Sequence, residues 1–200
     1  MPKVVDHNQR RRDIIDAAWR LIVRGGFETA TMREIAAETG FANGALKLYF
    51  STKEQLVHEL FETTLAQFSA RIAAETQGLR GLDALRRSAL ITLPISVEAT
   101  TASHIFMALW HLSTTDVTLR ERYRVHLVDW YEGLSGYVRD AKADGEVAAG
   151  VSESAVAKQL IHYVIGANVL VAIGGNFAGG RDHRAYLSDL LESLRVTARV

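Results

Sequence analysis

Two hundred residues with a mass of 22.1 kDa, 48% of them hydrophobic and 23% charged, suffice for one large helical domain or two small ones and exclude a disordered chain. The absence of cysteine excludes a disulfide framework, a zinc ribbon and a thiol nucleophile. The formal net charge is zero, but through Lys53 nine basic residues face six acidic ones, so a basic head precedes an acidic remainder.

Only two prolines interrupt the chain and alternating apolar and polar runs are scarce, which predicts an all-α fold. The first helix is expected over about Asn8 to Arg24, with Ile14, Ala17, Ala18, Leu21 and Ile22 on one face and Gly25-Gly26 as its stop. Two short helices follow. Thr52 caps a longer one running to Gly78, with Leu56, Leu60, Phe61, Leu65 and Phe68 on one face. Leu82 to about Val97 is next, kinked or ended by Pro94. Thr101 to Ser113 is apolar nearly all round, as a central helix would be. Thr118 to about Asp144 aligns Leu119, Tyr123, Leu127, Trp130, Leu134, Tyr137 and Ala141. Ser152 or Ser154 opens a helix to Ile173, and His183 to about Thr197 is the last. The polar first residues hold no signal-like apolar core, and the apolar run Leu160 to Gly175 is broken by His162 and Asn168. The expectation is a cytoplasmic protein without a membrane span.

The stretch Thr31 to Phe50, TMREIAAETGFANGALKLYF, carries the most information. Thr31 and Glu34 have capping-box spacing, Ile35 and Ala36 form the apolar face of a short helix, and Gly40 permits a tight turn. Small Ala36 lets a second helix cross closely, while Phe41, Leu46 and Tyr49 lock the crossing. The result is a helix-turn-helix that presents Asn43, Gly44, Ala45 and Lys47 to a major groove about 12 Å wide.

At these residues the sequence resembles the TetR family of bacterial transcriptional regulators. The likeness runs over roughly residues 10 to 60: Gly25-Gly26-Phe27, then Thr31, Arg33, Ile35 and Ala36, then Tyr49-Phe50 and Lys53. It implies a homodimer whose first three helices (residues 1–51) bind a palindromic double-stranded operator, while residues 52–200 hold an effector pocket and the dimer interface. It further implies that Thr31, Arg33, Tyr49 and Lys53 touch phosphates, and that Asn43, Ala45 and Lys47 face base edges. The family more often has Ser or Thr where Ala42 stands, and an aromatic and a histidine where Lys47 and Leu48 stand. Further along, Phe106 to Trp110 and the Gly-centred Ile165 to Leu170 resemble the subgroup containing the repressor of choline-to-betaine genes.

Among the later helices, Phe106, Met107, Trp110 and Trp130, with polar His104, His111, Glu98, His162 and Asn168, have the composition of an effector pocket: an apolar wall and a few fixed polar groups. A mostly apolar effector is expected, with a small cation over ring faces as the alternative. His104 and His111 are seven residues apart, a poor spacing for sharing one ion, so no metal and no cofactor are expected. Gly166 and Leu170 on one helix, with Leu187, Leu190 and Leu194 on the last, would form a four-helix dimer interface. Gly174, Gly175, Gly179 and Gly180 around Asn176-Phe177 read as a flexible connection. The leading reading is an effector-responsive repressor and not an enzyme. The alternatives are a helical metalloprotein or enzyme built on the His104, His111 and Glu98 region, and an effector-independent DNA organiser.

Overall fold

The computed structural model describes residues 6–174 and 179–195, with all their side chains except those of Phe27, Asn43, Val97, Glu98 and Thr101. The α-helices, in order, are α1 (His7–Gly25), α2 (Met32–Thr39), α3 (Asn43–Leu46), α4 (Lys53–Thr76), α5 (Gly81–Thr92), α6 (Val97–Thr115), α7 (Val117–Ala143), α8 (Glu153–Ala172) and α9 (Gly180–Leu194). A single 3-10 turn, Phe27–Thr29, precedes α2, and one isolated bridge joins Val147 to Arg195. The all-α expectation holds among the described residues.

Short-range chemistry sets most helix ends. The Asp6 carboxylate accepts from the Asn8 and Gln9 amides and starts α1, and Gly26 stops it with φ 82°. Thr31 Oγ1 accepts from the Glu34 amide at 3.2 Å, but the reciprocal half of the capping box is not made. The Thr31 amide already donates to Thr29 in the preceding 3-10 turn, and the Glu34 carboxylate turns to Arg33. Gly40 adopts the left-handed conformation, φ 70° and ψ 16°, that the turn between α2 and α3 requires. α5 ends at Thr92, so Pro94 separates two helices without kinking one. Ser96 then caps α6, which starts four residues earlier than expected, and Asp116 caps α7. α9 also starts early: the Asp182 carboxylate accepts from the Gly179 amide at 2.7 Å, extending the helix ahead of His183. Its expected continuation to Thr197, and the connection through Gly175 and Asn176-Phe177, lie outside the described residues.

Three apolar clusters hold the chain. Ile14, Ala18, Ile22, Ile35, Ala36, Leu46 and Phe50 pack with Leu56 and Leu60, so the first turns of α4 belong to the N-terminal core. Val57, Phe61, Leu65, Leu109, Leu112 and Leu119 form a second cluster, against which Trp19 of α1, Phe106 of α6 and Tyr123 of α7 pack. Leu85, Leu134, Val138, Leu160, Val164, Leu187, Leu191 and Leu194 belong to the third and largest, formed by α5, α7, α8 and α9. By length and composition alone α8 is long and apolar enough to cross a membrane, a test that a core helix also passes. Here it packs its Val156, Ala157, Leu160, Val164 and Ala167 into the protein.

Candidate nucleic-acid interface and ligand chamber

α2 and α3 form the expected helix-turn-helix, closed by the hydrogen bond from the Phe41 amide to Ala36 C=O at 3.0 Å. α3 is a single helical turn. Its N-cap, Ala42, supplies no side-chain hydrogen bond, as the missing hydroxyl predicted, and residues 47–49 continue as a turn. Leu46 and Phe50, both fully buried, fasten this segment to the core. Gly44, Lys47 and Leu48 are exposed and Ala45 is half-buried, while the Asn43 side chain lies outside the described residues. A Cβ at Gly44 would meet nothing within 4 Å, so the backbone there is open to close approach.

The residues expected at phosphates are at the surface, but several already have work. Thr31 Oγ1 is engaged in its cap, Tyr49 Oη is 3.2 Å from His7 Nδ1, and Arg33 is 3.2 Å from the exposed Glu34. Lys53 opens α4 beside a cleft lined by Val57, His58 and Asp116. Not all of the basic head is available to a ligand. Arg20 and Arg24 both hydrogen-bond Glu38, which holds that carboxyl below the usual carboxylate range.

Sequence reasoning missed Arg11. Its guanidinium grips Glu59 of α4 through two nitrogens, donates to Tyr49 C=O at 3.1 Å and lies 4.5 Å from the centre of the Phe50 ring. One side chain of α1 thereby ties the end of the α3 segment to α4. In the sequence it is simply the middle member of an Arg triplet.

Further along α4, Phe68 enters a narrow chamber of about 20 Å³ lined also by Thr92, Phe106, Trp110, Tyr123, His126, Trp130, Val164, Ile165 and Asn168. The rings brace one another: Phe68 meets Phe106 edge-on at 5.0 Å and Trp130 at 6.5 Å, and Phe106 stacks with Trp110 at 6.3 Å. Trp110 Nε1 donates to Tyr123 Oη. Burial raises the Tyr123 phenol above its usual pKa and lowers the His126 imidazole below its own, so both are neutral near pH 7. The described lining contains no carboxylate. Trp130 Nε1 is buried with no acceptor among the described residues. A second, more open cleft of about 190 Å³ shares His126 and Trp130 and adds Ser69, Ser88, Asp129 and Tyr137.

Of the pocket residues expected from sequence, Phe106, Trp110, Trp130 and Asn168 come together here. His104, His111 and His162 do not: all three are exposed, because the faces of α6 and α8 that carry them point away from the packed interior. Met107 is half-buried and is not part of this lining. The Glu98 side chain lies outside the described residues. Asn168 serves the fold first, donating to Thr92 C=O at 3.0 Å and Val164 C=O at 2.8 Å and accepting from Ser103 Oγ at 2.7 Å. Its amide caps the end of α5. Sequence reasoning passed over His126 as a pocket residue, although 123, 126 and 130 have the three- and four-residue spacing of one helical face. Among the described residues no three His, Asp or Glu side chains gather as metal ligands would.

The expected dimer residues divide in two. Leu187 and Leu194 are buried within their own chain, because α9 turns that stripe inward against α5, and they are unavailable to a partner. Leu170 (39% exposed), with Gly166 and Leu190 half-exposed, remains at the surface, where Ile173 (65% exposed) joins Leu170.

Residues 14–60 match the family described as bacterial regulatory proteins, tetR family. The HTH-type transcriptional regulator PksA of Bacillus subtilis (strain 168) is 49% identical over 57 residues, which are 28% of this chain and 28% of PksA. The chain therefore matches little more than a quarter of that relative's length. The HTH-type transcriptional regulator BetI of Vibrio atlanticus (strain LGP32) is 28% identical over 130 residues, 63% of this chain and 64% of that protein. A transcriptional regulator from Saccharomonospora viridis, solved in complex with choline, superposes with a TM-score of 0.88 at 22% identity, covering 96% of this chain and 100% of that one. The helix-turn-helix geometry and the matched segment agree: residues 14–60 are similar to the DNA-binding segment of the family described as bacterial regulatory proteins, tetR family, and the whole chain shares its fold with solved transcriptional regulators.

Proposed function

We propose that this protein is a DNA-binding transcriptional regulator whose operator affinity is set by a small molecule in the aromatic chamber. The observation that carries the reading is the placement of α4. Its Leu56 and Leu60 are built into the core of the helix-turn-helix unit, and its Phe68 is a wall of the chamber. Leu56 and Phe68, twelve residues apart, are separated by about 18 Å of continuous helix. A ligand that displaces Phe68 acts on the base of the DNA-binding unit through a rigid element. Trp19, packed against the cluster shared with Phe106 and Tyr123, supplies a second connection. Release follows only if the ligand favours the conformer in which the recognition helices no longer match the operator, by a few kcal/mol.

The chamber suits a compact, weakly hydrated effector. At about 20 Å³ it is closed down around its rings, so an effector enters by displacing Phe68 and its neighbours; the rings favour an apolar body or a quaternary ammonium, and Trp130 Nε1 offers a hydrogen bond to an acceptor. Choline in the Saccharomonospora viridis structure is a ligand of that chemical type. The outward stripe of Gly166, Leu170 and Ile173, with Leu190 of α9, serves a second copy of the chain, and two copies read a palindromic operator in the cytoplasm. In this reading residues 1–51 contact DNA, α4 is shared, and the remainder senses the effector without catalysis.

Selection of duplexes from a random library by the purified protein should enrich one inverted repeat. Thermal-shift screening of compact cations and aromatic molecules, choline included, should then give a ligand that frees the selected duplex from wild type and fails with Trp130→Ala. Enrichment of no sequence overturns DNA reading. A ligand that stabilises both proteins equally overturns the assignment of the chamber.

A further inference from the structure

We propose that Leu48 is a specificity-determining residue, its side chain lying against the 5-methyl group of a thymine in each half-site; this rests on the DNA-binding reading above. Leu48 is 81% exposed, the most exposed of the large apolar side chains among the described residues. A solitary exposed leucine on an ordinary surface needs no explanation. This one adjoins exposed Lys47 on the segment that the helix-turn-helix turns outward, four residues after the bare backbone of Gly44.

Its direction is fixed from both sides. Leu46 and Phe50 are fully buried, the Leu48 amide bonds Ala45 C=O at 3.3 Å, and the Tyr49 and Phe50 amides both bond Leu46 C=O at 2.9 Å. Tyr49 is held further by Arg11 on its carbonyl and His7 on its hydroxyl. Leu48 therefore has no inward rotation available without unseating its buried neighbours Leu46 and Phe50.

In the major groove the apolar feature distinguishing one base pair from the others is the thymine methyl. Gly44 lets the backbone sink toward the groove floor, which shortens the reach required of Lys47 and Leu48. The ammonium then reads acceptors such as guanine O6 and N7, while the leucine buries the methyl of a neighbouring pair. Burial of one methyl corresponds to about three- to fivefold in affinity per half-site.

The test uses the duplex enriched by the selection above, with each thymine replaced singly by deoxyuridine, which removes the methyl and leaves the pairing and its groove hydrogen-bonding groups. Wild type should lose about three- to fivefold at one thymine per half-site. Leu48→Ala should bind the thymine and deoxyuridine duplexes alike, at about the wild-type affinity for the duplex replaced in both half-sites, with the wild-type salt slope. Leu48→Met, still apolar and long, should keep the sensitivity. Indifference of wild type to every replacement overturns the proposal, as does unchanged methyl sensitivity in Leu48→Ala. A reduced salt slope in Leu48→Ala also overturns it, because the side chain would then be orienting phosphate contacts. If no duplex is enriched, DNA binding itself falls and the assignment of Leu48 with it; enrichment without a methyl effect removes Leu48 alone.

Discussion

His126 is buried between the two cavities, 5.9 Å from the Phe68 ring and 6.0 Å from the Tyr123 ring, with Ser69 Oγ at 3.5 Å from Nδ1. Burial holds the imidazole below its usual pKa, and the nearby Asp129 carboxylate only partly opposes this. The unfolded chain binds the proton near pH 6.5 and the folded chain binds it lower. The stabilisation is therefore complete above about pH 6.5 and is lost as pH falls below that value. His183, also buried and shifted down by burial, adds in the same direction. Melting temperature should decline from pH 7.5 to pH 5, and His126→Phe should decline less than wild type over that interval. Parallel declines would show that the histidine is hydrated and titrates as it does in the unfolded chain.

At the scale of elements, the orientation of the α3 segment depends on a single side chain from α1. Arg11 spends its charge on Glu59, its fork on Glu59 and Tyr49 C=O, and its flat face on Phe50. Arg11→Ala should lower stability by about 1–2 kcal/mol, since both partners of the ion pair retain some solvent. It should also weaken binding to every duplex by a similar factor, because it disturbs the whole presenting segment rather than one base contact. Arg11→Lys should restore only part of both, an ammonium being unable to reproduce the planar fork. Thermal unfolding together with fluorescence anisotropy on selected and random duplexes measures this. A loss confined to the selected duplex would place Arg11 in base recognition instead.

At the scale of the whole molecule, α8 leaves an apolar surface unfinished among the described residues. α8 buries Val156, Leu160, Val164 and Ala167, yet Leu170 and Ile173 of the same helix region remain in water. Leu170→Asp should give a folded monomer of normal melting temperature that loses most operator affinity, since one half-site supplies only part of the binding energy. Leu187→Ala should do the opposite, keeping the dimer while costing about 2–5 kcal/mol of stability, because it opens a cavity inside one chain. Sedimentation at micromolar concentration separates the two variants. A monomeric wild type, or a dimeric Leu170→Asp, would move the interface elsewhere.

The helix-turn-helix and most helix ends were legible in the sequence because their causes lie within four residues: Thr31 with the Glu34 amide, Gly40 in the turn, Pro94 after Thr92. The local pattern also identified Phe106, Trp110, Trp130 and Asn168 as interior groups. What it could not supply was the face each helix turns inward. α6 and α8 are apolar around most of their circumference, so they carry no single stripe to mark one face, and His104, His111 and His162 were placed inside when they point to water. Leu187 and Leu194 form a clear stripe, but a stripe does not say whether its partner is the same chain or another copy. Only the packing of α9 against α5 decided that. The grip of Arg11 on Glu59, 48 residues away, is likewise absent from any local window. Such a contact exists only after the helices have docked, since what brings the two charges together is burial of the apolar faces beneath them.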